Sequence, residues 1–178
     1  AGLTWPTLTL RAGQDAYGRD LLLLFGPEPD HHWQAFTDEV VSIARGLGVR
    51  LVVGLGAFPA PTPHTRPVRL TTTATSAALA ARVGFMHGAI EVPAGAQAAL
   101  EEAFGHAGID AVGLWARVPH YIAAMPYPAA SVALIEGLNE VGGLDISAGE
   151  LREAAEQSRR RIDELVSQNA EHQALVSQ

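Results

Sequence analysis

The chain has 178 residues, 48% of them apolar and 17% charged, with no cysteine and a formal net charge of −7. Such a length and apolar content suffice for a real core, one domain or one domain with an appendage, and argue against disorder. The negative charge speaks against a nucleic-acid partner, the missing cysteines exclude disulfides and thiol chemistry, and no apolar run outlasts Leu21–Phe25, far too short for a bilayer.

No signal or transit pattern is visible, so the expected location is cytoplasmic. The chain opens at Ala1 rather than methionine, which leaves room for an upstream segment. Its basic run, Arg159–Arg161, is ringed by Glu150, Glu153, Glu156, Asp163 and Glu164 and reads as a solvated helix face.

Taken in order, Trp5–Arg11 alternates as a strand and Ala12–Arg19 as a turn. Asp20–Phe25 is a continuous apolar run, the pattern of a central strand covered on both faces. Gly26-Pro27-Glu28-Pro29 stops it, and Asp30 is a natural N-cap for a helix reaching Leu47. Trp33, Phe36, Val40, Ile43 and Leu47 share one face of that helix, to be laid against the sheet. Val49–Leu55 is a second buried-type strand, so strand, helix and strand predict a right-handed βαβ unit with parallel neighbours.

Phe58–Pro67 follows, with four prolines, a histidine and an arginine in a stiff, extended loop built to present His64 and Arg66. The alternative is a loop whose polar groups satisfy only its own backbone. Val68–Ala74 is a strand, Ser76–Val83 a short helix, Gly88–Val92 a short strand, Pro93–His106 a helix and Asp110–Ala116 a strand. A helix from Pro128 buries Ala130, Leu134, Leu138 and Val141 and closes at Gly142-Gly143. Ser147 and Glu150 have capping-box spacing and open the last helix, whose seam is Leu151, Ala155, Ser158, Ile162 and Leu165. That seam fits a docked terminal helix or a contact between subunits.

Three motifs, Glu28–Asp30, His64–Thr65–Arg66 and His120–Tyr121, each follow the carboxyl end of a predicted strand, the edge where open α/β sheets bind ligands. If the strands are parallel neighbours, the motifs converge on one rim. Arg66 beside His64 and Thr65 suits an anion, and a carboxylate with a histidine suits acid–base work. Against this, Asp30 serves as a cap, Glu28 as a solvated loop charge, His120 as a strand-end cap and Arg66 as half of an ion pair. No nucleophile elbow, phosphate-binding loop or dinucleotide fingerprint occurs, and the histidines lack metal-ligand spacing, so no metal and no cofactor is expected.

The order and spacing of Gly26-Pro27-Glu28-Pro29-Asp30, Pro63-His64-Thr65-Arg66-Pro67 and Val118-Pro119-His120-Tyr121 resemble the proteasome assembly chaperone family, in its bacterial, largely actinobacterial branch. Trp33 and Tyr127-Pro128-Ala129-Ala130 fit the same pattern, and the resemblance runs from about Leu21 to Leu151. It implies an α/β three-layer sandwich, phosphorylase/hydrolase-like, with a mostly parallel or mixed central sheet and a long C-terminal helix. Residues 1–146 would form the core domain and 147–178 the helix. It also implies a homo-oligomer, a trimer being favoured, that acts as a non-enzymatic scaffold with a proteasome-related subunit as partner. The alternative is an enzyme or binder for an anionic substrate, phosphorylase-, hydrolase- or carboxylate–amine-ligase-like. Members of the family are usually longer, with further strands and an Asp- and Arg-bearing segment upstream and an acidic, aromatic tail downstream.

Overall fold

The computed structural model describes residues 7–83, 86–87 and 95–167, the pair 86–87 by backbone alone. The elements are β1 (Thr9–Gln14), β2 (Asp20–Phe25), α1 (Trp33–Gly46), β3 (Leu51–Ala60), β4 (Leu70–Ala74), α2 (Ala77–Val83) and β5 (Met86–His87). They continue with α3 (Ala96–His106), β6 (Asp110–Pro119), a 3₁₀ turn at His120–Ile122, α4 (Pro128–Gly142) and α5 (Gly149–Ser167).

The main sheet has the order β3-β6-β4-β5, with β3 and β6 parallel, β6 and β4 antiparallel, and β4 and β5 parallel. It is a mixed sheet between two helical layers, and β6 shows why. Its alternate residues Val112 and Leu114 meet Leu79 and Val83 of α2 and Leu134 and Val141 of α4, while Ala116 and Val118 meet Ala130 and Ile162. On the other face Ala111 packs with Val41 and Ala44 of α1 and Phe104 of α3. That period of two puts α2, α4 and α5 on one side and α1 and α3 on the other.

Several expectations are corrected. Asp20–Phe25 is no central strand: among the described residues β2 pairs with β1 alone, antiparallel, in a separate two-stranded sheet, so the expected βαβ unit of β2, α1 and β3 does not form. A short turn at Asp15–Arg19 closes that hairpin at lower entropic cost than reaching β3, and Leu22–Phe25 stay 36–50% exposed. Asp30 does not cap α1. The N-cap is His32, in the left-handed region with φ 59° and no side-chain cap bond, because the Pro27 and Pro29 turn carries the chain past Asp30 before the helix begins.

The stripe of α1 is rotated as well: Thr37, Val41 and Ala44 are buried, whereas Ile43 and Leu47 are 40% and 57% exposed. Small residues at Thr37 and Ala44 let α1 approach its neighbours closely, and the bulkier side chains flank the contact. β3 runs on to Ala60 and takes the first part of the proline-rich stretch, Pro59 being tolerated because β3 is an edge strand. β1 likewise extends to Gln14, into the stretch expected as a turn.

Ser147 Oγ accepts the Gly149 N–H at 3.3 Å, not the reciprocal capping-box bond expected with Glu150. Along α5 the buried residues are Ile162 and Val166, while Leu165 of the expected seam is 45% exposed. Through Ile162 and Val166 the helix enters the cluster of Leu70, Ala116, Val118, Ile122 and Ala130, so its described part is docked on its own chain. Trp5, Pro6 and the strand expected at Gly88–Val92 lie outside the described residues.

Candidate functional site

β3 and β6 end side by side, with Pro59 opposite Val118 and Ala60 opposite Pro119. Their parallel register delivers the His64 loop and the His120–Ile122 turn to the same end of the sheet. There the His64 ring is almost wholly buried, 1% exposed, and both of its nitrogens are engaged. Nδ1 lies 2.6 Å from Tyr121 Oη and Nε2 lies 2.9 Å from Asp163 Oδ1, while the His64 backbone N–H donates to Tyr121 Oη at 2.9 Å.

For a neutral ring beside an ionised carboxylate, the donor and acceptor roles are set. An ionised carboxylate only accepts, so Nε2–H donates to Asp163. In the neutral ring Nδ1 is then an acceptor, and the Tyr121 hydroxyl donates to it while accepting from the His64 N–H. The hydroxyl thus becomes a two-way connector between the loop and the turn after β6. Burial pushes the Tyr121 phenol upward; the His64 N–H opposes this and the Asp163 charge adds to it. A phenol held protonated between two fixed partners is a poor nucleophile. The trio ties the loop, the 3₁₀ turn and α5 together.

Nearby, Tyr127 is also pushed upward by burial and by Tyr121, with Arg159 opposing. His120 stacks edge-on against Tyr121, ring centroids 5.7 Å apart, and its Nδ1 reaches Ala60 O at a long 3.4 Å.

The other members of the expected constellation make different contacts. Glu28 Oε1 accepts the Ala96 N–H at 2.9 Å, anchoring the loop after β2 to the first turn of α3, where a carboxylate also suits the helix dipole. Thr65, Arg66 and Asp30 are exposed, and the Arg66 N–H donates to Pro63 O at 3.3 Å. The sheet order gives the physical reason that the motifs do not all share one rim through neighbouring strands: β2 lies outside the sheet that carries β3 and β6.

Asp163 was invisible to motif reading. It falls among the acidic residues around the arginine run, and its one signal is its place beside Ile162 on the buried stripe. A second polar cluster also escaped. On the α3 face, Trp115 Nε1 donates to Thr73 Oγ1 at 3.2 Å, and that hydroxyl donates to Glu101 Oε2 at 2.7 Å. Gly56 and Gly113 make the space, since a Cβ on Gly56 would sit 2.6 Å from the Trp115 ring. Burial raises the Glu101 carboxyl above the usual carboxylate range, with the Thr73 hydrogen bond opposing. These groups line an open groove of about 510 Å³ together with Thr75, Glu102 and His106.

Among the described residues, no group of three or more His, Cys, Asp or Glu converges as metal ligands, and no helix is long and apolar enough to cross a membrane.

A mixed α/β sandwich with loops clasped at the sheet end and a docked C-terminal helix defines the class. A model of the PAC2 family matches residues 1–166, and the chain belongs to that family. No curated protein matches it. Among solved structures, it resembles a Mycobacterium tuberculosis protein of unknown function at 38% identity and TM-score 0.89, with 97% of this chain and 58% of that one aligned. A M. tuberculosis proteasome-assembly chaperone homologue aligns at 36% identity and TM-score 0.89 over 100% of this chain and 75% of that one. A PAC2 family protein from Streptomyces avermitilis aligns at 39% identity and TM-score 0.86 over 97% and 74%. The chain therefore spans a little over half the length of the first of these. The family resemblance read from the three motifs and the mixed α/β architecture it implied both hold.

Proposed function

We propose that the chain is a non-enzymatic, chaperone-like scaffold that works as a cytoplasmic homo-oligomer, a trimer being favoured, and binds a proteasome-related subunit. Its kinship with a proteasome-assembly chaperone homologue supports the partner class. The observation that carries the oligomer is the β1–β2 hairpin, where Leu8, Leu10, Leu22, Leu23, Leu24 and Phe25 are all 36–50% exposed.

Pairing of Leu10 with Leu24 and of Ala12 with Leu22 sets one apolar face, and Leu21, Leu23 and Phe25 share the other with Thr9, Arg11 and Gly13, the Arg11 guanidinium lying 5.4 Å from the Phe25 ring centre. Contiguous apolar surface of this kind marks a protein interface. A twofold dimer needs one such face, whereas a hairpin with large apolar residues on both sides suits the head-to-tail contacts of a closed ring. The binding reading also accounts for the polar groups, because His64 and Glu28 are engaged in tying the chain to itself.

Light scattering after size-exclusion chromatography at micromolar concentration tests this. The expected mass is a multiple of the 18.7 kDa chain, lost in Leu23→Ser/Phe25→Ser. A monomeric parent that also captures no proteasome-type subunit would sink the proposal.

A second reading, an anionic small-molecule site, is favoured by the exposed Arg66 guanidinium, which has no side-chain partner among the described residues. In it Arg66 and Thr65 bind the anion. Titration with inorganic phosphate should then give saturable binding abolished in Arg66→Ala. Binding unchanged in that variant removes the reading.

A further inference from the structure

The hairpin is fastened to the body at its turn through one carboxylate. Asp15 Oδ1 accepts the backbone N–H of Tyr17 at 3.0 Å and of Arg19 at 2.8 Å. Asp15 Oδ2 accepts Arg19 Nε at 2.9 Å, Arg19 Nη2 at 2.8 Å and the Asp145 N–H at 3.0 Å. The Ala16 N–H donates back to Asp145 O at 3.1 Å. The Asp15 side chain is fully covered.

Asp145 belongs to the connection after α4, which leaves the helix at Gly143 with φ 62°. The bonds therefore join the strand turn to the α4–α5 connection, far along the chain. Burial works to raise the Asp15 carboxyl, but the N–H donors of Arg19 and Asp145 and the Arg19 charge outweigh it and hold the group below its ordinary value, as a carboxylate that gains from being ionised.

At the opposite end of the hairpin, Glu28 fastens the loop after β2 to α3. With both ends tied, the exposed leucines and Phe25 of the hairpin are presented at a fixed angle to the sandwich.

We infer that Asp15 is the positioning residue of the assembly surface, setting the angle of the hairpin through its bonds to Arg19 and Asp145. This rests on the proposal that the hairpin mediates self-association. A freely hinged hairpin would lose orientational freedom at each contact, and that loss weakens association even when every apolar residue is kept.

The test compares the parent, Asp15→Asn, Arg19→Gln and Leu23→Ser by light scattering and by amide hydrogen exchange on the intact chain. Asp15→Asn should melt cooperatively, speed exchange at residues 9–14 and 20–25 by about ten-fold or more, and shift dissociation to a concentration about ten-fold higher. Arg19→Gln keeps the backbone N–H groups that donate to Asp15 and should fall between. Leu23→Ser should dissociate without the change in exchange at the turn. Parent-like exchange and assembly in Asp15→Asn overturns the inference while self-association stands. A parent that is monomeric overturns the assembly reading, and the inference with it.

Discussion

Replacing Tyr121 by Phe removes a single oxygen, yet it leaves the His64 N–H and Nδ1 without their partner in a covered site. The unmet groups should cost about 1–3 kcal/mol. In a domain of this size that reads as a fall in melting temperature of roughly 2–4 °C for each kcal/mol, with no change of fold. Absence of any shift would show that the connection contributes nothing. Glu101 carries the opposite sign. Its folded-state pKa is raised, so as pH rises past the ordinary value of 4.5 the unfolded chain gives up its proton first, and stability falls until the folded group has titrated as well. Glu101→Gln should therefore melt at or above the parent at pH 7 and flatten the decline above pH 4.5. Thermal melts from pH 4 to 8 decide it, and a variant less stable than the parent at pH 7 would contradict the reading.

At the level of elements, α5 is held by Ile162, 1% exposed among Leu70, Ala116, Val118 and Val166. Ile162→Ala should cost about 2–5 kcal/mol through lost contact and the cavity left behind, measured by denaturant unfolding. A cost under about 1 kcal/mol would mean that the helix is peripheral to the core. Element type and order were legible because turn residues and periodicity are local signals. What failed was local too, in a different sense. Leu21–Phe25 is apolar on both faces, and sequence alone equates that with a covered central strand, whereas here the run is exposed in a hairpin. Likewise the bulky residues of α1 outweighed Thr37 and Ala44 in the helical pattern, although close packing selects the small ones.

For the whole molecule, the family signature was legible because three short motifs keep their order around a fixed scaffold. The neighbourhood of His64 and Tyr121 was legible as well, since β3 and β6 are parallel neighbours. The third partner, Asp163, comes from a helix 99 residues from His64, and only packing can bring such a pair together. Glu28, expected as a ligand group or a solvated loop charge, accepts a backbone N–H of α3, a contact that no side-chain motif records.

The central place of β6 has a consequence for how the chain is made. β6 pairs with β3 on one side and β4 on the other, and β3 has no second strand neighbour among the described residues. Leu51 of β3 waits for Asp110 and Leu70 of β4 for Ala116. A ribosome releasing the polypeptide amino end first thus exposes the apolar β3 with no strand to pair with, and β4 with only the two-residue β5, until Asp110–Pro119 emerges and joins them in a late step. The nascent chain has a window of vulnerability to aggregation over that interval, set by strand order alone.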